Sequence, residues 1–130
     1  MARALADRLN RVSRRQTLRL THYGRKTGKP YQVTIWFIVD GEKILLATAN
    51  RNRQWVKNVQ KTPRVILRIG DETFEGEARF LSEPGERDRV LAMVRRKYWM
   101  FVPFMALGAL LYALRIMPNN TGAFEVRLAA

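Results

Sequence analysis

Thr17-Leu18-Arg19-Leu20-Thr21-His22-Tyr23-Gly24-Arg25-Lys26-Thr27-Gly28-Lys29-Pro30-Tyr31-Gln32-Val33-Thr34-Ile35-Trp36-Phe37-Ile38-Val39 reads as two strands joined by a basic turn. β-Branched and aromatic residues dominate both flanks, and such side chains fit a pleated, half-buried surface. The segment between them gathers Arg25, Lys26 and Lys29 between and beside Gly24 and Gly28. Backbone N–H groups and cations at one tight turn suit an anion, phosphate or carboxylate. A solvated hairpin turn uses the same residue types, so the turn by itself leaves both readings open. A nucleotide-triphosphatase loop is excluded. It needs four residues between its glycines and a helix after its Lys. Here Arg25, Lys26 and Thr27 alone separate Gly24 from Gly28, and Lys29 leads into Pro30 and a strand.

Outward from this hairpin the pattern stays short and antiparallel. Asp40-Gly41 is a hairpin signal, and Lys43–Thr48 follows as a third strand. A short helix is expected from about Arg53 to Lys61, ended near Pro63. Arg64–Ile69 and Glu72–Leu81 read as the next two strands, with Gly70-Asp71 as their turn. In the second of these Phe74, Gly76, Ala78 and Phe80 share one face, while Glu75, Glu77 and Arg79 share the other. Pro84 suits the first turn of a helix running to Lys97, with Val90, Leu91 and Val94 toward the core. Ala123–Leu128 is the last strand. Six strands in hairpins with a few helices do not make a βαβ pattern. The expected class is mainly β with helices (α+β), a small antiparallel barrel spanning 1–130 as one domain.

Two segments stand outside the barrel. Residues 1–16 form a basic amphipathic helix, in which Leu5, Leu9 and Val12 make an apolar stripe among Arg3, Arg8, Arg11, Arg14 and Arg15. It lacks the apolar centre of a signal peptide, which sets the expectation of a cytoplasmic protein, or one at the inner membrane face. Residues 98–114, within an apolar helical segment 98–117, carry no charge from Tyr98 to Leu114. Seventeen residues fall short of the usual bilayer span of about 20, and Pro103 and Gly108 interrupt a straight helix. A helix apolar all round must bury every face. Self-association as a homodimer, a wall over a ligand pocket, or peripheral membrane contact would each do so.

Composition narrows the chemistry. The chain of 130 residues has no cysteine and a formal net charge of +13. Disulfides, thiolate metal sites and Cys nucleophiles are excluded. One histidine, His22, gives no expected metal site, since zinc needs several N or S ligands. The cations cluster at 1–29 and 51–68, and the acids mainly at 71–88. Such a polarised field draws anions. Nucleic acid is not expected, because no RNA-module or helix-turn-helix pattern accompanies the charge.

The order of these features resembles the deazaflavin (F420)-dependent nitroreductase family, within the split β-barrel flavin and deazaflavin oxidoreductases. The resemblance rests on the Gly24-Arg25-Lys26-Thr27-Gly28-Lys29 hairpin, the Trp55-x-x-Asn58 helix, and Thr62-Pro63-Arg64-Val65 opening the next strand. It covers roughly residues 17–81 well and the rest loosely, a motif-level match. The loop Ala49–Gln54 departs from the family pattern: it is crowded with Arg where small residues and a Pro are usual. The resemblance implies a split barrel that binds coenzyme F420, or alternatively FMN. Arg25, Lys26, Thr27 and Lys29 would meet the phosphate and acidic tail. The loop Asn50-Arg51-Asn52-Arg53 and the helix start beyond it, with Trp55 and Asn58, would cradle the deazaflavin side.

The activity implied is hydride transfer from reduced F420 to an apolar acceptor: a quinone, an enone or a nitro compound. Tyr98 and Tyr112 are the candidate catalytic proton donors, with His22 and Tyr23 beside the turn as further candidates. A packed ring with a satisfied hydroxyl is the ordinary role of such tyrosines. The alternative is a non-catalytic split barrel that holds a cofactor or a lipid-like molecule.

Overall fold

The computed structural model describes residues 2–48, 52–98 and 122–129. The elements follow one another as α1 (Ala2–Val12), β1 (Thr17–Tyr23), β2 (Pro30–Asp40), β3 (Lys43–Thr48), α2 (Gln54–Lys61), β4 (Arg64–Ile69), β5 (Glu72–Phe80), α3 (Pro84–Lys97) and β6 (Gly122–Leu128). The six strands close into an antiparallel barrel in the order β1-β2-β3-β6-β5-β4. Closure removes the free sheet edges that would otherwise template pairing with other chains.

The hairpins arise where the backbone needs a left-handed residue and glycine supplies it. Gly41, at φ 63°, begins the two-residue loop between the paired Asp40 and Lys43. Gly28, at φ 71°, closes the basic turn, where its N–H donates to the Gly24 carbonyl at 3.0 Å. Gly24 N–H donates to the Lys29 carbonyl at 2.9 Å, so the turn holds its own shape.

Alternation along the strands builds the interior. Leu18, Leu20 and His22 of β1 point inward, as do Val65, Leu67 and Ile69 of β4. Phe74 and Ala78 do so on β5, while Thr73, Glu75, Glu77 and Arg79 of the same strand are exposed. The apolar faces of α1 (Leu5, Leu9, Val12) and α2 (Trp55, Val56, Val59) join this cluster. The basic helix thus packs on the barrel. Glu72 fastens it, accepting from Arg8 Nε at 2.8 Å and Arg11 Nη2 at 2.9 Å.

A second cluster lies on the outer side of β2, β3 and β6, where α3 lays Val90 and Val94 against Ile38, Leu45 and Ala123. These strands are covered on both faces, which explains why Ile44-Leu45-Leu46 reads as an unbroken apolar run. The helical segment expected at 98–117, apart from Tyr98, lies outside the described residues, as does Tyr112. Among the described residues no helix is long and apolar enough to cross a membrane.

Candidate functional site

The basic turn and the start of α2 come together at one end of the barrel. Between them opens a cleft of about 690 Å³, walled by the turn residues Gly24 to Thr27, the β2 start from Tyr31 to Val33, and α2. That size suits a cofactor-sized ligand.

The cleft lining is cationic in part. Arg25, Lys26 and Arg53 belong to it, and among the described residues no acid does. Arg53 also stands at the N-cap of α2 with no side-chain cap bond, and the first turn of α2 carries no acid. The amide groups that begin a helix favour an anion there. The lining is also apolar and aromatic. Trp55 is 4% exposed, tilted on Phe124 at 5.6 Å between centroids, and still contributes to the cleft. Tyr31, 48% exposed, stacks on His22 at 5.8 Å.

Arg25 links the two walls. Its Nη1 donates to Asn58 Oδ1 at 2.8 Å, and its Nη2 to Gln54 Oε1 at 2.8 Å. Lys61 Nζ returns a bond to the Arg25 carbonyl at 2.9 Å. A guanidinium has five N–H donors in a rigid fork. Arg25 therefore fixes the turn against α2 and keeps donors for a ligand. Asn58 is 6% exposed, and its Nδ2 lies 3.0 Å from His22 Nδ1. Burial lowers the pKa of His22 below the usual 6.5, because the imidazolium would lose its water.

The structure brings together His22, Arg25, Lys26, Thr27, Arg53, Trp55 and Asn58 of the residues singled out in the sequence. Thr27 also braces the turn, its Oγ1 accepting from Lys29 N–H at 3.3 Å. Trp55 and Asn58 share one buried face of α2, as their spacing of three requires. Lys29 and Asn52 are exposed and do not line the cleft. Asn50 and Arg51 lie outside the described residues.

Tyr98 is not brought to this cleft. It is 2% exposed, at the C-cap of α3. Its hydroxyl donates to the Gln16 carbonyl and accepts from Phe37 N–H at 3.4 Å. Burial raises its pKa, which keeps the phenol protonated. The ring belongs to the second cluster and its hydroxyl is satisfied by the backbone of Gln16 and Phe37, a packed ring with a satisfied hydroxyl.

Gln54, Tyr31 and Val33 line the cleft without having been singled out. Tyr31 and Val33 carry a signal after the fact, since they follow the turn directly. Gln54 carries none, because its bond to Arg25 spans 29 residues.

Several solved structures share this barrel. A conserved hypothetical protein of Mycobacterium tuberculosis matches with a TM-score of 0.69 at 22% identity, over 95% of this chain and 80% of that one. An F420-H2 dependent reductase matches with a TM-score of 0.63 at 20% identity, over 86% of this chain and 94% of its own. A protein solved as a domain-swapped dimer matches with a TM-score of 0.66 at 20% identity, over 86% of this chain and 80% of that one. At these identities the likeness is one of fold. The sequence model of the F420H2-dependent quinone reductases matches residues 4–103. The chain belongs to the F420H2-dependent quinone reductase family, deazaflavin-dependent oxidoreductases whose cofactor is coenzyme F420.

Proposed function

We propose that the cleft between the basic turn and α2 is the deazaflavin groove, and that the chain reduces an apolar, electron-poor acceptor there. One observation carries this reading: the cleft lining combines three cations, Arg25, Lys26 and Arg53, with the aromatic and apolar Tyr31, Val33 and Trp55, and among the described residues no acid lines it. A cofactor with an anionic tail and a flat ring system matches that combination. Lys26, Arg53, the spare donors of Arg25 and the α2 N-terminus would hold phosphate and carboxylate oxygens. Trp55 and Val33 would lie against the ring and exclude water.

The bound, reduced deazaflavin supplies a hydride, and the protein supplies orientation. The acceptor class is a quinone, an enone or a nitro compound. Pairing with a second copy of the chain is part of the reading, supported by the relative solved as a domain-swapped dimer.

The test is a titration of the protein into F420, followed by cofactor fluorescence, then oxidation of reduced F420 with each acceptor class. Saturable binding at micromolar concentration is expected. Lys26→Gln with Arg53→Gln should weaken it roughly 10- to 100-fold, the loss of a charge-assisted bond or two. An unchanged affinity in that double variant would show that the anion binds elsewhere.

A further inference from the structure

His22 is the only histidine in the chain. It faces the barrel interior at 5% exposure and forms part of the cleft wall. Its Nδ1 lies 3.0 Å from Asn58 Nδ2. The orientation of that amide follows from its other end, where Asn58 Oδ1 accepts from Arg25 Nη1 at 2.8 Å. A guanidinium only donates, so it fixes Oδ1 on its own side and leaves the NH₂ group toward His22. An NH₂ group only donates as well. His22 Nδ1 must then be the unprotonated, accepting nitrogen, and the ring proton must sit on Nε2. Among the described residues Nε2 has no hydrogen-bond partner.

We propose that Arg25 and Asn58 are positioning residues that hold His22 as the neutral Nε2–H tautomer, leaving a fixed hydrogen-bond donor on the cleft wall for a carbonyl or phosphate oxygen of the bound deazaflavin. The ligand half of this proposal rests on the cleft being the deazaflavin groove. The tautomer half does not.

The network has a second consequence. A proton on Nδ1 would face the Asn58 NH₂ group, donor against donor. The amide would have to turn, and Oδ1 would leave Arg25. Protonation of His22 thus loosens the clamp that orients the turn. The surroundings oppose that proton. Arg25 and Lys26 from the turn and Arg53 from the start of α2 line the same cleft, Lys61 caps the Arg25 carbonyl, and Tyr31 of β2 stacks on the ring. Among the described residues no carboxylate lines the cleft to stabilise an imidazolium. The lowered pKa of His22 agrees with this arrangement.

A single histidine makes the test direct. In ¹⁵N-labelled protein without ligand, long-range ¹H–¹⁵N correlation of the imidazole should show Nε2 protonated and Nδ1 bare near neutral pH. Asn58→Asp turns an NH₂ donor into a carboxylate that can bridge Arg25 and His22. It should move the proton to Nδ1 and raise the His22 pKa. A protonated Nδ1 in the parent protein, or no change in Asn58→Asp, would overturn the tautomer lock.

The ligand arm compares His22→Gln, which keeps a donor, with His22→Phe, which keeps a ring and has none. F420 should bind the Phe variant about tenfold more weakly than the Gln variant, one net hydrogen bond. Equal affinity in the two would refute the donor role. Absence of F420 binding by the parent protein would instead refute the deazaflavin reading, while the imidazole spectrum still decides the lock.

Discussion

The Tyr98 ring lies flat against Trp36, with 4.2 Å between centroids and 8° between planes. The stack seats the end of α3 on β2, and the Tyr98 hydroxyl fastens it to the carbonyl of Gln16, just before β1. One side chain thereby joins a helix terminus to two neighbouring strands. Tyr98→Phe should keep the stack and lose the hydroxyl. The expected cost is about 1–3 kcal/mol of stability, because the buried Phe37 N–H loses its acceptor and the part-buried Gln16 carbonyl its donor. F420 affinity should stay within about threefold, below 1 kcal/mol. Denaturant unfolding and cofactor titration check both. A large loss of turnover at unchanged stability would restore a catalytic role for this hydroxyl.

Acid should destabilise the protein in two separate windows. The His22 pKa is lowered from 6.5, so between its folded value and 6.5 the unfolded chain binds the extra proton. Stability then falls as pH drops below 6.5. Glu125 is 8% exposed and held by Lys43 and Arg79, each at 2.6 Å. Those two bonds lower its pKa below 4.5. Its stabilisation is present above 4.5 and is lost as pH falls through the folded value. His22→Gln should remove the slope just below pH 6.5, and Glu125→Gln should reduce the one below 4.5, where Glu72, held by Arg8 and Arg11, also contributes. Unfolding free energy measured from pH 3 to 8 tests the separation.

Gly76 should be the least replaceable residue of β5. A Cβ built there would come 2.4 Å from the Arg127 carbonyl oxygen and 2.9 Å from Val126 Cγ1. The first of these is backbone in the neighbouring strand, so relief requires the β5–β6 ladder to part. Gly76→Ala should cost about 1–3 kcal/mol or more, the range for overpacking. Gly85→Ala, with nothing within 4 Å of the added atom, is the control. Equal unfolding midpoints for the two variants would contradict the close approach.

The three cations of the basic turn should differ in what they do. Arg25 binds both Asn58 and Gln54, so Arg25→Gln should lower stability by about 1–3 kcal/mol as well as F420 affinity. Lys26 is exposed on the cleft rim, and Lys26→Gln should lower affinity with stability unchanged within about 0.5 kcal/mol. Lys29→Gln should do neither, because Lys29 stands outside the cleft. Thermal unfolding and cofactor titration of the three variants separate these roles.

Much of this protein was legible in the order of its residues. β-Branched and aromatic runs bounded by turn residues placed the six strands, alternation marked the two faces of β5, Asp40-Gly41 placed the β2–β3 hairpin, and Pro84 placed the start of α3. These signals are local: side-chain period and the left-handed backbone of glycine act within a few residues. The basic turn was legible for the same reason. Its partners were not. Arg25 meets Asn58 across 33 residues and His22 meets Asn58 across 36, and Tyr98 reaches Gln16 across 82. Those meetings depend on how the barrel closes, with β6 inserted between β3 and β5 and β4 beside β1. The sequence by itself determined that there is an antiparallel barrel with a cationic turn at one end. Tertiary structure alone decided that Arg25 is a clamp as much as an anion ligand, that the one histidine stands beside it, and that Tyr98 is a buried fastener. Local preference sets the elements, and only their closure sets which polar atoms must satisfy one another.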